Sequence, residues 1–506
     1  MSRPHEATFL NHTRSLEFPD AWHDRSAGLL WLYNLHYFDD LIAENHGDRV
    51  DWHMELLERW VTENTVSTQV GWDPYPTSLR IVNWIIWTCL GNELPYSCLR
   101  SLAQQTRNLR RRLEYHLMAN HLMANAKALV FAGCFFEGAE ALSWLEDGLQ
   151  ILSDEIEEQI LFDGGHFERS PAYHARMVAD FLDVIQLSRV YEDCSMLADS
   201  LAANRIKSRV DKMLKWQQAM THPDGTFALF NDSAYDQAPS LARLTDYATA
   251  LAVERKDLPP ARLVMLRESG YARLTDQASS VTMTALLDVG SIGPSYQPGH
   301  AHAGTLSFEL SLNDSRVIVD TGTSHYTEDA ERYRQRGTAA HNAVVVDGAD
   351  SSEVWASHRV ARRAVVTTLD SHEEHDACKI WAEHTGYERL RGVGKHRREW
   401  SVRPGVLTVS DTLYGFGVHE LALTFHLHPD VSVVELAFNE FALRIPGVAH
   451  DVTIRLDPVL DVALEETTYH PEFGVALATR KLCGRVRGDL PITLTSSMVY
   501  DTVGIQ

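Results

Sequence analysis

Three histidines, an aspartate and a tyrosine carry much of the chemistry legible in this chain. Gly299-His300-Ala301-His302 sets two imidazoles one residue apart, Asp320 closes an apolar run, and His341-Asn342 opens another. His302, Asp320 and His341 offer two imidazoles and a carboxylate, a set that zinc accepts with a water or a fourth protein group completing a tetrahedron. In an extended strand, residues two apart point the same way, so His300 would share a cavity with His302 yet stay free for substrate. A straight hairpin about Asp314 would leave His302 several residues beyond the position facing Asp320. The Pro298-Gly299 and Ala303-Gly304 steps must therefore bend the chain if both are to meet one ion. The plainer alternative is a set of ordinary polar sheet residues in a chain with 25 histidines.

Two further clusters lie upstream. Asn120-His121 opens an apolar helical stretch, where an asparagine on its own reads as an N-cap. Asp163-Gly-Gly-His166-Phe-Glu168-Arg-Ser170-Pro-Ala-Tyr173-His174 combines a glycine loop with a proline suited to a first helical turn. Tyr173 and His174 then sit near the positive end of the helix dipole, which would stabilise a phenolate and suit a proton carrier. Taken alone, Tyr173 also reads as an amphipathic packing residue.

Considered together, these groups suggest an elimination. Removing the acidic hydrogen beside a uronic acid carboxylate builds charge on the carboxylate oxygens, and Asn120 and His121 are donors that could hold them. A base and an acid are also needed, each proton transfer being worth roughly 10²–10⁴ in rate. Tyr173 and His300 are the natural pair, and which of them is the base stays open. No GxSxG, Walker A, dinucleotide fingerprint or HExxH competes.

These residues must be positioned by two kinds of element. Apolar residues recur at helical spacing over 29–43, 52–64, 77–90, 96–115, 121–136, 139–161, 172–191, 196–220 and 239–252. Short Gly, Pro or Asp links between them imply antiparallel neighbours. From about residue 263 the pattern changes to strands, over 281–287, 305–312, 316–320, 343–346, 405–410, 422–426, 452–456 and 492–496. Asn313-Asp314-Ser315 reads as a hairpin turn. The expectation is a helical domain over 1–260 and an antiparallel β-domain over 261–506. The tandem His116-Leu-Met-Ala-Asn120 and His121-Leu-Met-Ala-Asn125 is offset by about 140° around a helix, so the copies do not share a face, whereas His121 and Asn125 do.

The 506 residues exceed one ordinary core. A net charge of −23 argues against general nucleic-acid or membrane binding, though a local basic groove could still meet an acidic sugar. The six cysteines form no CxxC pair and read as buried thiols. No apolar leader or membrane span is visible, so a soluble cytoplasmic protein is expected, or an exported one whose leader is missing. Oligomeric state is not legible.

The order of short motifs resembles the heparinase II/III-like polysaccharide lyases and, through their architecture, alginate lyases. The pieces are Asn34-Leu-His-Tyr-Phe38, Tyr75-Pro-Thr-Ser-Leu-Arg80-Ile-Val-Asn83-Trp84, Asn120-His121-Leu, the Asp163–His174 motif, Pro223-Asp-Gly-Thr-Phe227, Gly299–His302, Thr338-Ala-Ala-His341-Asn342 and Tyr469-His-Pro-Glu-Phe-Gly474. The resemblance implies an incomplete α/α toroid followed by an antiparallel β-sandwich, and β-elimination at a uronic acid. It implies Tyr173 and His300 as the acid–base pair, Asn120 and His121 as the carboxylate-neutralising group, and a structural zinc on His302, Asp320 and His341. Arg80, Tyr75, Trp72, Glu168, His174 and Arg336 are candidate substrate contacts. Arg169, Arg176, Arg332 and Arg334 are further grips for carboxylate or sulfate, and Tyr37 and Trp84 further stacking surfaces. Some relatives carry a glutamate three residues after the Asn-His histidine, where this chain has Ala124. A glycoside hydrolase using Asp163, Glu168 and Asp232 is one rival reading. A non-catalytic acidic-glycan-binding protein on a lyase scaffold is the other.

Overall fold

The computed structural model describes residues 3–65, 69–277 and 280–501. The chain divides into two compact units: Met1–Ile160, Met177–Val210 and Ala250–Val253 form the first, and Leu161–Arg176, Asp211–Thr249 and Glu254–Gln506 the second.

The first unit is helical apart from a small hairpin, β1 (Glu6–Phe9) with β2 (His12–Ser15). Its helices are α1 (Leu29–Tyr37), α2 (Val50–Glu63), α3 (Pro74–Cys89), α4 (Tyr96–Arg110), α5 (Ala119–Phe135), α6 (Ala139–Gln159), most of α7 (Pro171–Val190), α8 (Ser195–Ala198) and the first half of α9 (Leu201–Ala219). α1 stops six residues short of its apolar run because Phe38 turns left-handed, at φ 63°. α3 starts with proline at the first helical position, where no hydrogen bond is lost. α5 is apolar almost all round and buried through its middle, the signature of a central helix. It crosses α6 closely at two glycines. A Cβ on Gly133 would stand 2.6 Å from the Leu145 backbone, and one on Gly148 would stand 2.8 Å from the Ala126 carbonyl.

The second unit carries the start of α7, the end of α9, α10 (Leu241–Ala250) and the sheets. β3 (Leu263–Leu266), β4 (Tyr271–Asp276), β5 (Met283–Asp288), β6 (Phe308–Leu312) and β7 (Ser315–Ile318) form an antiparallel meander. A ten-stranded sheet includes β8 (Val344–Val346), β11 (Val366–Glu373), β12 (Cys378–His384), β13 (Val393–Arg403) and β14 (Val406–His426). It continues through β15 (Ser432–Ala437), β16 (Glu440–Arg444), β17 (Val452–Arg455), β18 (Asp461–Tyr469) and β19 (Leu477–Val499). A two-residue pair, β9 (Val354–Trp355) with β10 (Arg359–Val360), stands apart. β5 and β6 are buried on both faces, whereas β13 alternates residue by residue from His396 onward. One core holds Leu287 and Leu310 of the smaller sheet with Trp400 and Leu423 of the larger, so the two sheets pack face to face.

The expected hairpin forms β6 and β7 about Asn313, at φ 51°. The run at 305–312 is a strand only from Phe308, because the chain before it is turned. The runs at 405–410 and 422–426 belong to the single strand β14. Several elements lie outside the runs read from the sequence, among them β1, β2, β4, β11, β12, β13, β15, β16 and β18, and α11 (Ala330–Arg336), whose buried residues are Arg332, Gln335 and Arg336. All six cysteines are free thiols, and Cys89 is exposed, unlike the buried state expected of it. No helix among the described residues is long and apolar enough to cross a membrane.

Candidate active site

The second unit brings Tyr173 and His300 together. Their rings stack at 3.9 Å between centroids with 27° between planes, and both side chains are only partly buried. Tyr173 lies in the first turn of α7. Ser170 Oγ accepts from the Tyr173 backbone N–H at 3.3 Å, satisfying a donor that a helix start leaves free. His300 sits in a turned segment, not a strand. The Asp232 backbone N–H donates to the His300 carbonyl at 3.0 Å, and the His302 N–H donates to Asn231 Oδ1 at 2.9 Å, so 231–232 clasps 300–302.

Asp232 is the hub of the site. One carboxylate oxygen lies 3.0 Å from His300 Nδ1 and the other 2.8 Å from His302 Nε2. Arg332 of α11 donates to both oxygens, at 2.5 and 2.7 Å. Burial alone would raise the Asp232 carboxyl, but the Arg332 guanidinium and the two imidazoles outweigh it and hold it well below the usual carboxylate range. Asp232 is therefore no free carboxylate of the kind a hydrolase needs. A carboxylate on Nδ1 assigns the proton of His300 to that nitrogen and leaves the lone pair on Nε2. Glu168 is buried and stands 3.9 Å from His300 Nε2. On the far side of Tyr173, its hydroxyl meets that of Tyr326 at 3.1 Å. Burial, reinforced by Tyr173, raises Tyr326 well above the ordinary phenol value, so it stays protonated and able to donate to the Tyr173 oxygen.

Several expected substrate contacts are instead internal braces. His174 is fully buried, its Nδ1 accepting from the His166 N–H at 3.1 Å and its Nε2 2.9 Å from the Met213 carbonyl. Arg336 is fully buried and donates to the carbonyls of Ala301 at 2.9 Å, Ala356 at 2.7 Å and Arg359 at 3.2 Å, clamping the segment that bears His300. In the first unit, Arg80 lies under Trp60 and gives its donors to Gln105, His36, Gly71 and Thr77. Trp72 is buried too, donating to the Asn64 carbonyl. These side chains hold backbone that sequence spacing cannot foresee, so Arg80, Trp72, His174 and Arg336 are corrected to structural roles. Arg334 is also engaged within the protein, with Glu331 at 2.6 Å, Thr468 and His470.

Asn120 and His121 belong to the first unit. Asn120 is not an N-cap. The cap position of α5 is Met118, at φ 59° and ψ −149°, followed by Ala119 at φ 50°, and no side chain caps the helix. Such backbone costs about 1–3 kcal/mol per residue and persists where surrounding structure enforces it. It places Asn120 and His121 in the first turn. His121 Nδ1 lies 3.0 Å from Glu114 Oε1, and its ring packs on Tyr75 at 4.4 Å. A hollow of about 420 Å³ beside them is lined by Asp73, Arg112, Glu114 and His116, among others.

The expected metal set does not gather as one ligand group. His341 Nδ1 is 2.7 Å from Asp320 Oδ2, while Asp320 Oδ1 accepts from Gly322 N–H, so Asp320 orients His341. His302 and His341 do face each other, with centroids 5.4 Å apart. Their remaining nitrogens, His302 Nδ1 and His341 Nε2, are buried without a partner, an arrangement that suits a divalent ion. Burial depresses His302 to about 4, whereas at His341 burial is outweighed by Asp320, which raises it. Among the described residues, Asp232, His300 and His358 are the group whose ligand atoms lie close enough to hold a metal. Arg332 already neutralises Asp232 there, and its charge opposes a cation.

Comparisons with known proteins agree with this architecture. The "Heparinase II/III N-terminus" family matches residues 88–258 and "Heparinase II/III-like, C-terminal" matches 258–498. A crystal structure of heparinase III superposes with a TM-score of 0.74 at 19% identity, covering 93% of this chain and 77% of that one. The fold is thus that of an incomplete α/α toroid followed by an antiparallel β-sandwich. The chain belongs to the heparinase II/III-like family. It is similar to a heparin-sulfate lyase of Bacteroides stercoris, 24% identical over 250 residues, 46% of this chain and 36% of the relative. It is also similar to one of Bacteroides thetaiotaomicron, 25% identical over 320 residues, 56% of this chain and 42% of that protein. The matched stretch thus spans well under two thirds of either relative.

Proposed function

We propose that this protein is a polysaccharide lyase that cleaves a uronic-acid-containing glycan, of the heparan type its relatives are named for, by β-elimination. The observation that carries the reading is the Tyr173–His300 stack, with Asp232 behind the imidazole and Tyr326 beside the phenol. His300 Nε2 takes the proton from the carbon beside the uronate carboxylate. The electron pair left on that carbon forms the new double bond as the glycosidic oxygen departs from the adjacent carbon. Tyr173 gives its proton to that oxygen, and the Tyr326 hydroxyl donates to the phenolate that results. Asn120 and His121 are assigned the substrate carboxylate, where charge develops, and Tyr75 and Glu168 remain substrate-side candidates. His302 and His341 would hold a zinc ion, with Asp320 behind His341, and the ion would supply rigidity to this part of the β-domain.

Elimination alone creates a conjugated double bond, so ultraviolet absorbance of the product separates a lyase from a hydrolase. Purified protein mixed with acidic polysaccharides should generate that absorbance. New reducing ends without it would replace the reading with hydrolysis, and no turnover on any uronic glycan would leave a binding protein.

A further inference from the structure

We infer that Glu114 is a positioning residue for His121, and that Asn125 is the part that holds Glu114 in place. The effect on rate rests on the lyase reading; the effect on the His121 ring does not. Burial separates the roles of the two side chains. The Glu114 side chain is 6% exposed and that of His121 30%, so the carboxylate lies behind the ring and the imidazole faces outward. Glu114 Oε1 engages His121 Nδ1 at 3.0 Å, and its Oε2 accepts from Asn125 Nδ2 at 2.9 Å. Asn125 Oδ1 in turn accepts from the Glu114 backbone N–H at 2.9 Å, closing a two-bond lock, and Asn125 Nδ2 also donates to Ser78 Oγ of α3 at 3.0 Å. The Glu114 carbonyl accepts from the N–H groups of Leu117 and Met118, tying this residue to the strained turn that opens α5. His121 is thus fixed in plane by Tyr75 and in proton placement by Glu114, with Nδ1–H committed inward and Nε2 left for the outer face. The carboxylate that reaches His121 comes from seven residues upstream.

Reversing one hydrogen bond tests this. In E114Q a side-chain N–H would oppose the Asn125 N–H, and in N125D two carboxylates would collide. In E114Q/N125D the bond runs the other way: the introduced amide donates to the introduced carboxylate, and its oxygen still accepts from His121 Nδ1. The ring nitrogens of His121 are read by ¹⁵N NMR of histidine-labelled protein, assigned by difference against H121Q, alongside kcat and KM. Each single variant is expected to scramble the Nδ1–H signature and lower kcat about 10–100-fold, as when the outer partner of a functional histidine is removed. The double variant should recover both. Unchanged His121 signals in E114Q, or a double variant no better than E114Q, would overturn the inference. Should N125D fail to fold, E114Q and the double variant decide alone. Absence of turnover in wild type would count against the lyase reading, while the NMR comparison would still decide the role of Glu114.

Discussion

Tyr173 and His300 keep solvent access although each is braced from behind, by Tyr326 and by Asp232. In the proposed reaction, Tyr173→Phe removes the proton given to the leaving oxygen, together with the hydroxyl contact to Tyr326. Its kcat should fall roughly 10²–10⁴-fold with KM nearly unchanged, measured as product absorbance. A variant with normal turnover would remove Tyr173 from the reaction. At the metal candidates, elemental analysis of wild type should find one zinc per chain, absent from His302→Ala and His341→Ala together with a lower melting temperature. Wild type without metal would end that assignment. Tyr173, His300 and His302 were legible because their spacing repeats a recognisable motif. Asp232 could be noticed only as one carboxylate among many, since its meaning comes from Arg332, 100 residues away. Tyr326 and Glu114 gave no signal at all, because their partners meet them only after folding.

The β-elements carry a buried polar chain of their own. His384 Nε2 meets His396 Nδ1 at 3.1 Å, His396 Nε2 meets Asp411 Oδ1 at 2.6 Å, and Arg398 donates to both Asp411 oxygens. Burial alone would raise Asp411, but Arg398 and His396 outweigh it and bring it from the ordinary 3.8 to about 2. A depressed carboxylate stabilises the fold fully above about pH 4, and the contribution disappears as pH falls through about 2, a loss of about 2 kcal/mol. Asp411→Asn should be weaker at pH 7 by about 3–5 kcal/mol, since Arg398 stays buried and unpaired. It should also lose less between pH 4 and 2, measured by urea midpoints. An equal acid response in both proteins would refute this role. Strand periodicity marked β8, β14, β17 and β19 of this ten-stranded sheet, whereas α11 was invisible. Its sequence, Ala-Glu-Arg-Tyr-Arg-Gln-Arg, buries arginines and a glutamine, and no hydrophobic pattern marks such a helix.

At the scale of the molecule, the change from helical to strand patterning was plain in the sequence, because long elements of one period dominate each half. Charge acts at the same scale. With a net charge of −23, the protein repels a polyanionic chain at long range. Raising salt from about 0.01 to 0.15 M shortens the screening length from about 30 to 8 Å, so kcat/KM on a uronic glycan should rise about 2–10-fold. A fall would reveal a local positive field strong enough to reverse the repulsion.

The Arg336 clamp has a further consequence. Its guanidinium grips the carbonyls of Ala301, Ala356 and Arg359, and its own carbonyl accepts from Ala303 N–H. Neighbouring Arg332 takes the Ser357 carbonyl. Residues 299–303 and 354–360 are therefore released by the same event, the unseating of α11. Their amides should exchange with deuterium as one cooperative block sharing a single opening free energy, and Arg336→Lys, which replaces a planar fork with a point charge, should speed exchange in both segments at once.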